Sequence, residues 1–316
     1  MFSSPVMNLR KEPQSTMANQ TFFDRQYRLK AGVAGEVGFT IGEPTPPHNS
    51  ALHVSFSIEK TDSETLNTTK ISVWNLNDAH INTLMEDNCM IEICAGYGNA
   101  RPCIFRGTIT NVQTALDGTD RSTDIEAIDG FGELRDTHVV LSYKGEVDVG
   151  TLIEACADKI GMPVLYSKTA EATVRSRKLA SGYSCGGAVK SALTKICAIA
   201  GVKWTIQNGT LQIQNAGEPI SNAVQVLSPE TGLIGIPKRI YNSAVASGED
   251  TGSTLKDSLF GYEVVYFLNG NIGVNDLVKL ETKLVTGIFR VYKLQIDGDN
   301  LSGDWQCTAQ LVEVAK

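Results

Sequence analysis

Alternation of apolar and polar residues with a period of two is the feature that most limits how this chain can fold. In residues 51–59 one face carries the apolar side chains of Leu52, Val54, Phe56 and Ile58. This pattern predicts a β-strand with one buried face. Similar strands are predicted at residues 70–76, 90–97, 103–112 and 123–128. A short helix is predicted among them over residues 77–85, with Asn77 or Asp78 as its N-cap.

The same alternation returns towards the end of the chain, in residues 227–314. Strands are predicted there at residues 262–268, 277–281, 287–297 and 306–314. Short strands separated by Gly, Asn and Asp turns are typical of a β-barrel or sandwich. Trp305 starts the last strand, and we interpret its ring as a core side chain rather than a sugar-stacking platform.

Between these two stretches the apolar period changes to that of a helix. Residues 150–160 and 186–200 each carry one apolar stripe, and each ends at a glycine, Gly161 or Gly201. A glycine directly after the stripe is a common helix terminator. The following pair Asn208-Gly209 separates two alternating runs, which is the strongest short signal for a two-residue β-hairpin.

These periods divide the 316 residues into four parts. Residues 1–20 are polar, contain two prolines and are expected to be a flexible arm. A first β-barrel domain is expected at 21–145, a small α+β domain at 146–216 and a second β-barrel domain at 217–316. The expected fold class is therefore mainly β with a small α+β insert. The polar, Gly-rich residues 247–256 are expected to form an exposed loop.

Composition limits the classes of partner. The net charge of −7 argues against tight binding of nucleic acid, because phosphate binding needs clustered Lys and Arg. No apolar run approaches the roughly 20 residues that span a bilayer, and residues 1–20 lack the apolar core of a signal peptide. With 42% apolar residues the chain can form sizeable cores. We therefore expect a folded protein without stable membrane insertion.

The seven cysteines are odd in number and include no C-x-x-C pair. Several lie within apolar runs, which favours small buried hydrophobic side chains in a reducing compartment over a disulfide framework or a zinc site. They are Cys89, Cys94, Cys103, Cys156, Cys185, Cys197 and Cys307.

Candidate catalytic groups are sparse. No two of the four histidines (His48, His53, His80 and His138) are spaced i, i+4, and neither a phosphate-binding loop nor a G-x-S-x-G elbow occurs. The carboxylate pairs Glu126/Asp129 and Asp297/Asp299 leave a glycosidase open, although such residues at strand ends are usually solvated or capping. Residues 297–304 have only a faint likeness to a calcium loop, since Leu301 replaces an oxygen ligand. We expect no catalytic, cofactor-binding or metal-binding residue.

The order of short motifs along the chain resembles that of the baseplate hub proteins of tailed phages, over roughly residues 22–314. In those proteins a strand that ends in Asn-Leu, an Ala-Gly-Tyr strand and an Ile-Phe-x-Gly-x-Ile strand follow one another in this order. Residues 244–258 depart from the pattern. The residues that carry the resemblance are Asn75 and Leu76, Gly96 and Tyr97, Phe105 and Gly107, Asp129 and Gly130, Thr231 and Gly232, and Gly303, Asp304 and Trp305.

This resemblance implies a mechanical role. In such hubs two tube-type β-barrel domains flank an α+β domain, and three subunits form a pseudo-hexameric ring. The ring joins the six-fold tail tube to the three-fold central spike and lets the tape measure protein and DNA pass. It implies a homotrimer with tube, spike, tape measure and other baseplate proteins as partners, located in the virion and assembled in the cytoplasm of a host bacterium.

Two other functions remain open at the level of sequence. A β-rich carbohydrate-binding or adhesin module of a tail tip would need an exposed aromatic groove. A peptidoglycan hydrolase of the tail tip would need a region that is free of the barrel pattern.

Overall fold

The computed structural model describes residues 22–42, 51–241 and 260–314. The arm expected at residues 1–20 and the loop expected at 247–256 lie outside the described residues, as does His48. The first β region contains seven strands and two short helices. They are β1 (Arg25–Gly32), β2 (Phe39–Ile41), β3 (Val54–Thr61), β4 (Thr68–Trp74), α1 (Asp78–Leu84), β5 (Met90–Tyr97), β6 (Cys103–Asp117), β7 (Asp120–Ile128) and α2 (Phe131–Asp136).

An α+β region follows, with helices packed on small sheets. Its elements are β8 (His138–Tyr143), β9 (Val147–Asp148), α3 (Val149–Ile160), β10 (Val164–Tyr166), α4 (Ala170–Ser176), β11 (Lys178–Leu179), β12 (Tyr183–Ala188), α5 (Val189–Ala200), β13 (Val202–Gln207) and β14 (Thr210–Asn215). Helices α3 and α5 end at Gly161 and Gly201, which adopt the left-handed conformation that favours glycine.

The second β region completes the chain. Its strands are β15 (Val224–Leu227), β16 (Leu233–Tyr241), β17 (Phe260–Phe267), β18 (Leu277–Glu281), β19 (Thr286–Asp299) and β20 (Trp305–Glu313). A 3-10 turn at Pro229–Thr231 precedes β16. The mainly β class with a small α+β insert is thus confirmed.

Local sequence signals explain most elements. In β3 the side chains of Val54, Phe56 and Ile58 are buried, as the alternation predicts. Helix α1 is capped by Asn77, whose side-chain oxygen accepts a hydrogen bond from the His80 N–H at 2.8 Å. The helix predicted over residues 186–200 was wrong at its start, because residues 186–188 belong to β12 and pair with β8.

The strands of both β regions form one 13-stranded sheet, in the order β16-β17-β20-β19-β3-β4-β7-β6-β5-β1-β2, with β18 joined to β19 and β15 to β18. The regions meet where β3 pairs antiparallel with β19, with Ile58 opposite Ile296. One apolar core extends through both β regions and a second core lies in the α+β region. The division into two barrels and the exact domain boundaries remain predictions.

All seven cysteines lie among the described residues and none is disulfide-bonded. Five are buried and two are half-buried. Their positions agree with small buried side chains.

The sheet forks along one edge of β19. Strand β18 pairs with its first residues and β3 with its last, while β20 occupies the opposite edge. Arg290 lies at the fork and is 1% exposed. Its Nη1 donates to the Asp62 carboxylate at 2.5 Å and to the Asn275 side-chain oxygen at 2.6 Å. The Asn275 amide lies 3.4 Å from the Gln212 side-chain oxygen of β14, so all three regions meet here.

Replacing Asp62 by Ala should therefore lower the free energy of unfolding by about 3–5 kcal/mol, because it removes a buried carboxylate that pairs with the buried Arg290 guanidinium. Chemical denaturation measures this change. The matched control is Glu126→Ala, which removes the exposed Lys70–Glu126 pair and should change stability by about 0–1 kcal/mol. Equal effects of the two substitutions would show that Asp62 does not compensate Arg290.

Candidate functional site

The junction between the first β region and the α+β region is built around a buried carboxylate. Asp129 directly follows β7 and is fully buried. Its oxygens accept the backbone N–H of Asn208 at 2.5 Å and that of Gly209 at 3.0 Å. These two residues form the β13–β14 turn with φ angles of 53° and 73°, as the Asn-Gly pair predicts. The turn thus presents two adjacent N–H groups to an anion.

A buried lysine completes this junction. Lys60 continues the core face of β3 and is 4% exposed. Its Nζ donates to the Asn208 side-chain oxygen at 2.7 Å. Burial lowers the pKa of Lys60 and raises the pKa of Asp129, while the attraction between the two charges opposes both shifts. The two side chains therefore stabilise each other's charged forms across the junction.

Amide side chains fill the remaining hydrogen-bonding positions. Asn67 is 2% exposed, and its Nδ2 donates to the Ile206 carbonyl at 2.9 Å and to the Gln207 side-chain oxygen at 3.0 Å. Gln207 in turn donates to the Thr61 carbonyl at 2.9 Å. Gly130 follows Asp129 with a φ of 70°, and a Cβ there would lie 2.7 Å from the Ile206 side chain. The arrangement holds the α+β region in one orientation on the sheet.

A second set of contacts ties the first described residues to the second β region. The Phe22 ring lies 5.5 Å from the Tyr97 ring and 4.8 Å from the Phe267 ring, between centroids. A Cβ on Gly232 would lie 2.7 Å from Phe22. Thr231, next to it, accepts the Ser228 N–H at 2.8 Å. Burial raises the pKa of Tyr97 to about 12.

Arg25 connects β1 to the β19–β20 turn. Its Nη1 donates to the carbonyls of Asp299 at 2.9 Å and Gly303 at 3.0 Å, and its guanidinium carbon lies 5.9 Å from the Trp305 ring centre. Trp305 is 3% exposed and packs edge-on against Phe56. The Trp305 ring is therefore a core side chain in this chain.

The remaining motif residues lie elsewhere. Asn75 accepts the Arg121 N–H at 3.1 Å, and the Arg121 guanidinium donates to the Leu76 carbonyl, so this pair holds the β6–β7 hairpin. Phe105 is fully buried and a Cβ on Gly107 would lie 2.6 Å from the Ile128 carbonyl.

A Cβ on Gly96 would lie 2.0 Å from the Ala100 carbonyl, and the Asp304 side chain is exposed. Through Phe22 and Arg25 the structure brings together Gly96 and Tyr97 with Thr231, Gly232, Gly303 and Trp305. It leaves the other motif residues apart, and their family role stays a prediction.

The candidate acid and base groups are held by structural contacts. His53 stacks on Trp74 at 3.9 Å, and its Nε2 lies 2.9 Å from the Asp299 carboxylate. Burial acts to raise the pKa of Asp299, but hydrogen bonds from the Ser302 N–H and His53 outweigh it and the pKa lies below its usual value. Asp297 accepts the Ser57 hydroxyl at 2.7 Å. Within the described ranges no cluster of His, Cys, Asp or Glu could hold a metal ion.

Sequence reasoning missed Lys60, Asp62, Asn67, Arg25 and Arg290. The alternation itself could have identified Lys60. It follows Ile58 by two residues and therefore lies on the same face of the strand as the apolar side chains. A charged side chain on the core face of a strand needs a polar or oppositely charged partner, and the sequence alone does not identify that partner.

No protein-family model matches the chain, and no curated protein matches its sequence. Solved structures do share its fold. A tail protein from Neisseria meningitidis MC58 is 13% identical, with 92% of this chain and 98% of that chain covered and a TM-score of 0.58. The 43 kDa tail protein of prophage MuSo2 from Shewanella oneidensis is 8% identical, with 92% and 99% covered and a TM-score of 0.61.

The chain has the fold of phage tail proteins. A third structure, from E. coli, is a component of the type VI secretion system that exhibits structural similarity to the T4 bacteriophage tail proteins gp27 and gp5. It is 8% identical, covering 86% of this chain and 76% of that chain, with a TM-score of 0.55. In the part of this chain that the structure describes, no helix is long and apolar enough to cross a membrane.

Replacing Asp129 by Ala should leave the Asn208 and Gly209 N–H groups without their buried acceptor and remove the negative charge that favours the charged form of Lys60. We expect a loss of about 3–5 kcal/mol in unfolding free energy, and faster hydrogen exchange at the two turn amides. Denaturation and exchange mass spectrometry measure these effects. Asp124→Ala, at an exposed position of β7, is the control and should change stability by about 0.5 kcal/mol or less. Unchanged exchange in Asp129→Ala would contradict the role of this carboxylate.

Proposed function

We propose that this protein is a structural, non-enzymatic baseplate hub that joins a six-fold tail tube to a three-fold central spike. The observation that carries the proposal is the fold shared with two tail proteins over 92% of this chain. The motif order in the sequence, described above, points to the same family. The proposed mechanism is assembly: the hub closes the tube end, holds the spike and opens a channel when the spike leaves.

The arrangement of the chain suits a symmetry adaptor. Two β regions lie in one subunit and share a sheet through the β3–β19 pairing. Three such subunits would present six β regions to a six-fold tube while keeping three-fold symmetry towards a spike. In this proposal residues 21–145 and 217–316 are tube-type barrel domains, and residues 146–216 form an α+β domain that contacts the spike or outer baseplate.

The buried polar junctions support a role that transmits load. Asp129 and Lys60 hold the α+β region on the sheet, and Arg290 holds the fork between the two β regions. Separating these regions would leave buried charged groups without their partners, which is strongly unfavourable. A hub under mechanical load needs regions that move together rather than independently.

The proposed partners are two further copies of this chain, the tube protein, the spike protein, the tape measure protein and other baseplate proteins. The proposed location is the baseplate of a virion, after assembly in the bacterial cytoplasm. DNA would be present only in transit through the ring.

The first test is the oligomeric state. Native mass spectrometry of the purified chain, or a density map of the tail tip, should show three copies in one ring between tube and spike. A chain that stays monomeric both in solution and in the assembled tail would contradict the proposal.

The second test concerns DNA. The net charge of −7 would be about tripled in a trimer, so the ring should repel DNA rather than retain it. In a mobility-shift assay at physiological salt we expect no retention at concentrations below about 10⁻⁴ M, the weak end of non-specific binding. Tight, salt-dependent DNA binding would argue against a channel for passing DNA.

A further inference from the structure

Two of the seven cysteines face each other across neighbouring strands. Cys94 of β5 is the register partner of Cys103 of β6, directly after a register shift between Ile93 and Cys94. In the described strand pairings no other cysteine lies opposite a cysteine. The Cα atoms of facing residues in antiparallel strands are typically about 4.5–5.5 Å apart, which is within the range that a disulfide bond spans. The two thiols also hydrogen-bond to each other.

Arg28 of β1 lies on the other side of Cys94. The two residues are register partners, and Arg28 Nη2 donates to the Cys94 sulfur at 3.3 Å. Glu92 is also close, because its Oε1 lies 3.8 Å from the Cys94 sulfur and 3.9 Å from Arg28 Nη2. A guanidinium in contact with a thiol favours the thiolate, which is the form that reacts with oxidants.

These contacts give the two thiols different roles. The hydrogen bond with Cys103 lowers the pKa of Cys94 below its usual value, and Arg28 adds to this effect against the opposing influence of burial and Glu92. The same hydrogen bond, together with burial, raises the pKa of Cys103. Cys94 is therefore the nucleophile of the pair, and Cys103 keeps its proton.

Access to the pair favours a small reactant. Cys94 is 1% exposed, whereas Cys103 is half-buried. The side chains of Arg28 and Glu92, next to Cys94, are 31% and 32% exposed. Hydrogen peroxide is little larger than water and suits this approach better than a bulky organic disulfide does.

We propose that Cys94 and Cys103 form a dithiol site that hydrogen peroxide oxidises to a disulfide bond between β5 and β6. The Cys94 sulfur attacks one peroxide oxygen, so the S–O bond forms, the O–O bond breaks and hydroxide leaves. The Cys103 sulfur then attacks the Cys94 sulfur, the S–S bond forms, and the departing hydroxide takes the Cys103 proton as water. Two thiols are oxidised and the peroxide is reduced to water. A small dithiol reverses the reaction by thiol–disulfide exchange.

A metal ion suits the pair less well. Zinc in proteins is usually held by about four ligands, and this pair supplies two sulfur atoms. Over the ranges that the structure describes, no group of three His, Cys, Asp or Glu side chains is placed to hold a metal. The arrangement therefore favours thiol oxidation.

The position of the bond determines what it stabilises. It closes the loop of residues 94–103, in which the Tyr97 ring packs against Phe22. Pro102 of this loop lies against the second β region, where a Cβ on Gly270 would be 2.8 Å from the Pro102 ring. Oxidation therefore fixes the loop at a contact between the two β regions. This inference goes beyond the proposed hub function and does not depend on it.

Peroxide treatment of the full-length chain tests the site. Equimolar hydrogen peroxide, followed by alkylation in denaturant and peptide mass spectrometry, should give a Cys94–Cys103 cross-link with a mass loss of about 2 Da for two hydrogen atoms. The other cysteines should all be alkylated. Dithiothreitol should restore both thiols, and the oxidised chain should have a higher Tm than the reduced chain because the bond restricts the unfolded state.

Three variants assign the roles. Cys103→Ser removes the second thiol and should stop the reaction at a Cys94 sulfenic acid, which dimedone traps, without the gain in Tm. Arg28→Gln should slow formation of the cross-link, because the Cys94 thiolate loses a favourable charge. The matched control is Cys185→Ser, which removes the other half-buried cysteine and should form the cross-link at the wild-type rate.

The mapped cross-link in the wild-type chain decides the question even where a variant fails to fold. A folded chain in which peroxide leaves Cys94 and Cys103 alkylatable, or joins other cysteines instead, would overturn the dithiol site and leave the hub proposal untouched. Conversely, a chain that forms the bond but stays monomeric in the tail would overturn the hub proposal alone.

Discussion

The buried contact of Arg290 with Asp62 and Asn275 is the constraint on which the rest of the structure depends. A guanidinium that is 1% exposed requires partners that stay in place, because its hydration has been lost. Those partners come from the segment after β3 and from the loop before β18, and Asn275 reaches on to Gln212. The Arg290 charge therefore couples three features of the fold: the fork in the sheet, the joining of the two β regions and the position of the α+β region.

The Asp129 junction applies the same physics at a second point. There an anion binds the two N–H groups of a hairpin turn, and Lys60 approaches from the core face of β3. Together the two junctions leave little freedom between the regions, since movement would separate buried opposite charges. This stiffness suits the hub role that we propose for the protein.

The sequence by itself determined the mainly β class, the helices that end at Gly161 and Gly201, the Asn208-Gly209 hairpin and the buried face of β3. These features depend on neighbours within a few residues, so local periodicity and turn chemistry suffice to predict them. Only the tertiary structure decided that β3 pairs with β19, that Asp129 binds the Asn208-Gly209 turn and that Arg290 meets Asp62. Asp62 and Arg290 lie 228 positions apart in the chain, and no periodic pattern encodes a contact between side chains so distant in sequence.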